Sequence, residues 1–127
     1  MVGEESYKII QDYIKAYNAF DVEGMVSLLN KDIKFRNISN GEVNTETQGI
    51  QKFRELAEES IKIFSSRRQT IIDCLYVEDR VEVEIDYEGI VAIDLPNGLK
   101  VGDKIQLQGK SIFKIEQGKL SLIEDHS

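Results

Sequence analysis

Few residues in this chain could do nucleophilic, metal or acid–base work. There is one cysteine, Cys74, and one histidine, His126. A lone cysteine excludes an internal disulfide, and a single histidine leaves no cluster of soft ligands of the kind that holds zinc. No lysine or histidine lies near Cys74 in sequence to draw off its proton, so an inert thiol is expected. His126 stands beside Asp125 and suggests an acid–base dyad, but a penultimate histidine is expected to be disordered or part of a purification remnant. The acidic row Glu82, Glu84, Asp86 and Glu88 could attract a cation. Along a strand such side chains stand about 7 Å apart, too far to share one ion, so a solvated sheet face is expected instead. Neither a metal nor a cofactor is predicted.

The remaining candidates are carboxylates and amides on alternating segments. Glu124 and Asp125 are successive strand residues and point to opposite sides, so only one of them can face an interior. An aspartate in a dry pocket has its pKa raised by desolvation and can hold a proton at neutral pH. Asp73 shares a face with Ile71 and Leu75 if the strand is regular, which would make it a pocket carboxylate, but a dimer contact or a bulge is expected instead. Gln69 and Gln106 are further polar residues in the sheet.

The elements that must position these residues are read from periodicity. Ile9, Ile10, Tyr13, Ile14, Tyr17 and Phe20 recur at three- and four-residue spacing, on one face of a helix of roughly 15 residues. Asp21 is placed to cap a short second helix whose stripe is Val22, Met25, Val26 and Leu29. Residues 32–38 alternate, with Ile33, Phe35 and Asn37 on one face. The polar stretch SNGEVNTETQG reads as a loop, long enough to form a pocket rim. A third helix follows, with Ile50, Phe53, Leu56, Ala57, Ile61 and Phe64 as its stripe. After Arg67 the period becomes two: Val81, Val83, Ile85, Tyr87, Val91 and Ile93 lie on one face of a strand, opposite the acidic row. Pro96-Asn97-Gly98 turns the chain into a long strand bearing Ile105, Leu107, Phe113 and Ile115, and Glu116-Gln117-Gly118-Lys119 makes a hairpin into a final strand ending near His126. The order predicts an α+β domain with helices on one face of a curved sheet.

Bulk properties bound the rest. At 127 residues the chain is expected to form one domain, 1–127, able to bury a core without staples. The opening MVGEESYKIIQDY has two glutamates and no apolar run; it reads as neither signal peptide nor membrane span, so a cytoplasmic location and no membrane partner are expected. With 23 acidic and 16 basic residues, a net charge of −7, the chain repels phosphate backbones and no nucleic-acid partner is expected. The Arg67-Arg68 pair is too short to change that.

Three strings resemble the NTF2-like superfamily, and within it the SnoaL-like polyketide cyclases and ketosteroid isomerases: Tyr13 through Met25, Gln48-Gly49-Ile50 followed by Phe53, and Gly118-Lys119-Leu120 running to Asp125. Together with the element order the resemblance spans almost the whole chain. It implies a cone-shaped fold, three N-terminal helices on a curved, mainly antiparallel sheet, around a pocket built from Tyr13, Tyr17, Asn37, Phe53, Tyr87, Ser111 and Phe113. Tyr13 matches the isomerase tyrosine, but the base position carries Asn37, and the position of the second acid falls at or near Ser111. An amide cannot abstract a proton from carbon, so classical isomerase chemistry is not expected. The cyclase resemblance implies instead that Asp125 is the general acid and base. The expected functions are a pocket for a small hydrophobic, partly polar molecule; an acid–base enzyme acting through Asp125; or an interaction module. A homodimer through the sheet is implied for each.

Overall fold

The computed structural model describes residues 3–127. In chain order the elements are α1 (Glu4–Asn18), α2 (Val22–Val26), β1 (Leu29–Ser39), β2 (Glu42–Gln48), α3 (Ile50–Ile61), β3 (Phe64–Val77), β4 (Arg80–Val91), β5 (Lys104–Glu116) and β6 (Lys119–His126). The architecture is α+β, with three helices and a six-stranded curved open sheet. No helix among the described residues is long and apolar enough to cross a membrane.

Local chemistry accounts for most boundaries. Asp21 caps α2 as expected, its Oδ1 accepting from the Gly24 amide at 2.9 Å. The β5–β6 hairpin turns through Gln117 and Gly118, both at positive φ, the backbone that a two-residue turn between twisted strands requires. Asn40 and Gly41 do the same, with φ of 53° and 81°. They fold the segment after β1 back as β2, which pairs antiparallel with it from Lys34↔Gln48 to Ser39↔Glu42. The stretch 39–49 is therefore a hairpin arm, not the loop expected from its polarity: β2 is an edge strand whose side chains are mostly exposed.

The sheet order is β2-β1-β6-β5-β4-β3. All neighbours are antiparallel except β1 and β6, which run parallel. The helices cover one face. Ile10, Tyr13 and Ile14 of α1 and Phe53 and Ala57 of α3 meet Val81, Val83, Ile85, Phe113 and Ile123 in a single buried cluster. Burying this apolar surface against the alternating strand face is the main force holding helices to sheet.

Two expectations from alternation fail. Register shifts between Ile71 and Asp73, and the extra residue turns Asp73 to the opposite face from Ile71; Cys74, paired with Val83, takes the inner position instead. A bulge, as anticipated for Asp73, is the physical reason. Ile93 lies beyond the end of β4 and is 44% exposed, because the chain leaves the sheet at Val91.

Candidate functional site

A row of side chains crosses the inner face where three strands lie side by side. Asn37 on β1 is level with Asp125 on β6, and Asp125 is level with Ser111 on β5. In the two outward steps the row continues to Thr45 on β2 and Val83 on β4. Because Asp125 and Ser111 alternate with residues of the other face, both point toward the helices.

Two cavities meet at this row. One, of about 300 Å³, lies between α1, α3 and the sheet, and is walled by Tyr13, Phe35, Phe53, Leu56, Ala57 and Ile63 among others. The second, of about 250 Å³, lies toward the ends of β4 and β5, against Phe64, Tyr87, Ile105 and Leu107. Tyr17, Asn37 and Asp125 border both. A wider depression of about 840 Å³ lies on the other face of the sheet. It is polar, and some of its charges are matched by pairs such as Arg36–Glu124 and Lys114–Glu116; the inner cavity mixes apolar and polar walls.

Asp125 is half-buried: protein closes around it, and it borders both cavities. Desolvation pushes its carboxyl pKa up, while the hydrogen bond from Ser111 and the nearby His126 pull the other way without cancelling the rise. Ser111, a residue 3% exposed, donates its hydroxyl to Asp125 Oδ1 at 2.6 Å. Glu124 points to the opposite face, where Arg36 Nη1 lies 3.2 Å from its Oε2. His126 follows Glu124, with Nε2 3.4 Å from Oε1. It is an ordered strand residue paired with Lys110 and Ile38, not a disordered end, and it forms no dyad with Asp125.

The tyrosines frame the acid. Tyr13 is 4% exposed, edge-on to Phe113 and tilted against Phe53. Burial, reinforced by the charge of Asp125, drives its phenol well above the usual range. Tyr17 and Tyr87 share a hydrogen bond of 3.1 Å, and burial raises both phenols. All three therefore remain protonated donors at neutral pH. Asn37 donates from Nδ2 to Asn44 at 3.0 Å. Of the predicted pocket residues, Tyr13, Tyr17, Asn37 and Phe53 border the first cavity, and Tyr17, Asn37, Tyr87 and Ser111 the second. Phe113, 1% exposed, lies behind Tyr13 in the core and lines neither. Cys74 is held as a thiol by burial and by Asp73.

Reading the sequence missed Arg67. It is 4% exposed and forms part of the first cavity's wall. Nε donates to the Tyr17 carbonyl at 3.0 Å and Nη1 to Ser60 Oγ at 3.1 Å. Its guanidinium carbon stands 3.6 Å from the Tyr17 ring centroid and 4.8 Å from that of Phe20. A signal was present: running the two-residue alternation backward from Ile71 puts Gln69 and Arg67 on the inner face. Thr45, also on the first cavity's wall, was hidden by reading β2 as a loop.

The sequence profile of the SnoaL-like domain matches residues 10–123. The chain belongs to the SnoaL-like family. No curated protein matches it. Solved structures similar to this SnoaL-like chain include an NTF2-like protein of unknown function from Burkholderia pseudomallei, with a TM-score of 0.78 at 14% identity, covering 98% of this chain and 91% of the other. A proposed polyketide cyclase from Pseudomonas putida gives a TM-score of 0.76 at 21% identity, covering 98% and 92%. An epoxide hydrolase from M. tuberculosis, described as LEH-like, gives 0.74 at 16%, covering 96% and 81%. At these identities the likeness establishes the fold of the SnoaL-like chain and leaves its chemistry to the cavity.

Proposed function

We propose that this SnoaL-like chain takes a small, largely apolar molecule with a few polar groups into the inner cavity. There it moves a proton through Asp125, as a cyclase, isomerase or dehydratase does. The observation that carries this is the setting of Asp125, a carboxyl group bordering the cavity, accepting a 2.6 Å hydrogen bond from Ser111, with its pKa raised by desolvation. A carboxyl group tuned upward can take a proton from one atom and return it to another near neutral pH. Tyr13, Tyr17 and Asn37 border the same space and supply hydrogen-bonding groups for a substrate oxygen. Asp125 is level with Asn37 on its own sheet, and the other carboxylate on that cavity's wall is Glu59, which is exposed and bridged to Lys62. One interior acid suits reactions in which a single group alternates as base and acid, and suits less well a hydrolysis that needs both at once.

The test is Asp125→Asn against a panel of 1,3-dicarbonyl and enone compounds, with binding of 2-naphthalenemethanol followed in parallel. Turnover is expected to fall by about 10²–10⁴-fold while the alcohol still binds. Undiminished turnover would remove Asp125 from the chemistry, and a loss of turnover no larger than the loss of binding would make Asp125 a binding residue and not the proton-transfer group.

Self-association through the outer sheet face belongs to the same proposal. Ile72 and Leu75, 54% and 60% exposed, give that face apolar surface to cover. Sedimentation showing only monomer at micromolar concentration would refute it.

A further inference from the structure

Among the described residues Arg67, 4% exposed, is a buried cation with no counterion. Its polar neighbours are the Tyr17 carbonyl and the Ser60 hydroxyl, both neutral. None of the ion pairs among the described residues includes it. Nη2 is buried and has no hydrogen-bond partner among the described residues. Arginine does not shed its proton in proteins, so it cannot escape burial by becoming neutral. An isolated buried charge is costly unless it is paired.

Part of that cost is met inside the fold. The Tyr17 carbonyl lies in the last turn of α1, at the negative end of the helix dipole, and the Tyr17 and Phe20 rings present their faces to the guanidinium. These contacts fix the side chain's position and planar orientation. They leave the charge uncancelled and Nη2 buried without a partner, in a residue that belongs to a cavity wall whose other members are mostly apolar.

We propose that Arg67 is an anion-recognition residue, and that the cavity's ligand is a small aromatic or alicyclic molecule bearing one acidic group, a carboxylate or an acidic enol. This rests on the pocket reading above and narrows it to a substrate class. The anionic group pairs with the guanidinium, and the ring system fills the space between Tyr13, Phe35, Phe53 and Leu56. At about 300 Å³ the cavity is at the small end for ligand sites and suits a one- or two-ring molecule. Glu59 borders the cavity but is exposed and bridged to Lys62, so it leaves the guanidinium to an incoming anion. Arg67 and Asp125 then divide the work: the cation holds and orients, the carboxyl group transfers the proton.

The probes are 2-naphthoate and 2-naphthalenemethanol, alike in ring and differing in charge, titrated by calorimetry. The intact protein is expected to bind the acid at least about tenfold more tightly than the alcohol, as a charge-assisted pair provides. In Arg67→Gln the two affinities converge through loss of acid binding, and in Asp125→Asn the preference persists. Should Arg67→Gln fail to fold, the arginine Nε–H resonance of the intact protein decides: the acid shifts it and the alcohol does not. Equal affinity for both probes, or a preference for the acid that leaves this resonance unmoved, would overturn the anion assignment and spare the pocket. Failure of both probes to bind would remove the pocket reading and this inference together.

Discussion

Ser111 on β5 and Asp125 on β6 face each other across an antiparallel pair, with the serine hydroxyl 2.6 Å from a carboxylate oxygen. That bond favours the charged form of Asp125, while desolvation favours the neutral one and is the larger effect. Ser111→Ala is therefore expected to raise the Asp125 pKa further, measured by following the side-chain carboxyl carbon by NMR against pH. A downward movement would mean that the serine serves the neutral acid instead.

The raised pKa has a stability consequence. Between the ordinary aspartate value of 3.8 and the higher folded value, the folded chain holds a proton that the unfolded chain has released. The contribution of Asp125 to stability therefore falls as pH rises through that window and levels off above it. Thermal melts of wild type and Asp125→Asn across pH should show the variant gaining on wild type as pH climbs. A constant difference would mean that the folded pKa is not raised.

Tyr17 and Tyr87 bring α1 and β4 together through one shared hydrogen bond. A double-mutant cycle with Tyr17→Phe and Tyr87→Phe should give a coupling of about 0.5–1.5 kcal/mol by urea denaturation. Strict additivity would show the contact to be energetically idle.

Asn18 clamps the end of α1 to β3: its Nδ2 donates to the Gln69 carbonyl at 3.1 Å and its Oδ1 accepts from the Gln69 amide at 2.7 Å. Asn18→Ala should cost about 1–3 kcal/mol, since it strips two backbone groups of their partners. Asn18→Asp keeps the acceptor and should lose less, and equal losses would contradict the paired arrangement.

Gly109 has no room for a side chain, because an added Cβ would meet the His126 carbonyl oxygen at 2.5 Å. Backbone cannot swing aside as a side-chain tip can. Gly109→Ala should push the end of β6 outward, cost about 1–3 kcal/mol and perturb the Asp125 carboxyl resonance. An unchanged resonance would mean that the strand absorbs the methyl elsewhere.

The sequence made some of this legible and hid the rest for identifiable reasons. Helical stripes placed Tyr13 and Tyr17, and strand alternation put Asn37 on the inner face. Alternation could say only that Glu124 and Asp125 differ; which one faces inward needed the pairing of β6 with β5, where Asp125 meets Ser111. β2 escaped because an edge strand exposed on both sides has no apolar period to detect, although Asn40-Gly41 marks its turn. For Asp73 the break in alternation pointed to the bulge itself, and where Asp73 faces needed the pairing of β3 with β4, because one extra residue inverts the faces on either side of it. Arg67 was passed over because a charged residue is by default read as solvated, and only tertiary packing reveals that it is buried.

β6 lies in the middle of the sheet, although it is the last strand along the chain, and the Arg36–Glu124 pair that ties it to β1 joins residues 88 positions apart. As the polypeptide emerges from its amino end, the β1–β2 hairpin and the β3–β5 meander can each form, but as two half-sheets with raw edges. The strand that seals them also carries the acid. Folding should thus be slow, as distant pairings make it, and the Ser111–Asp125 bond should form in the same kinetic step that joins the two halves, so that no partly assembled species holds the carboxyl group in its buried setting.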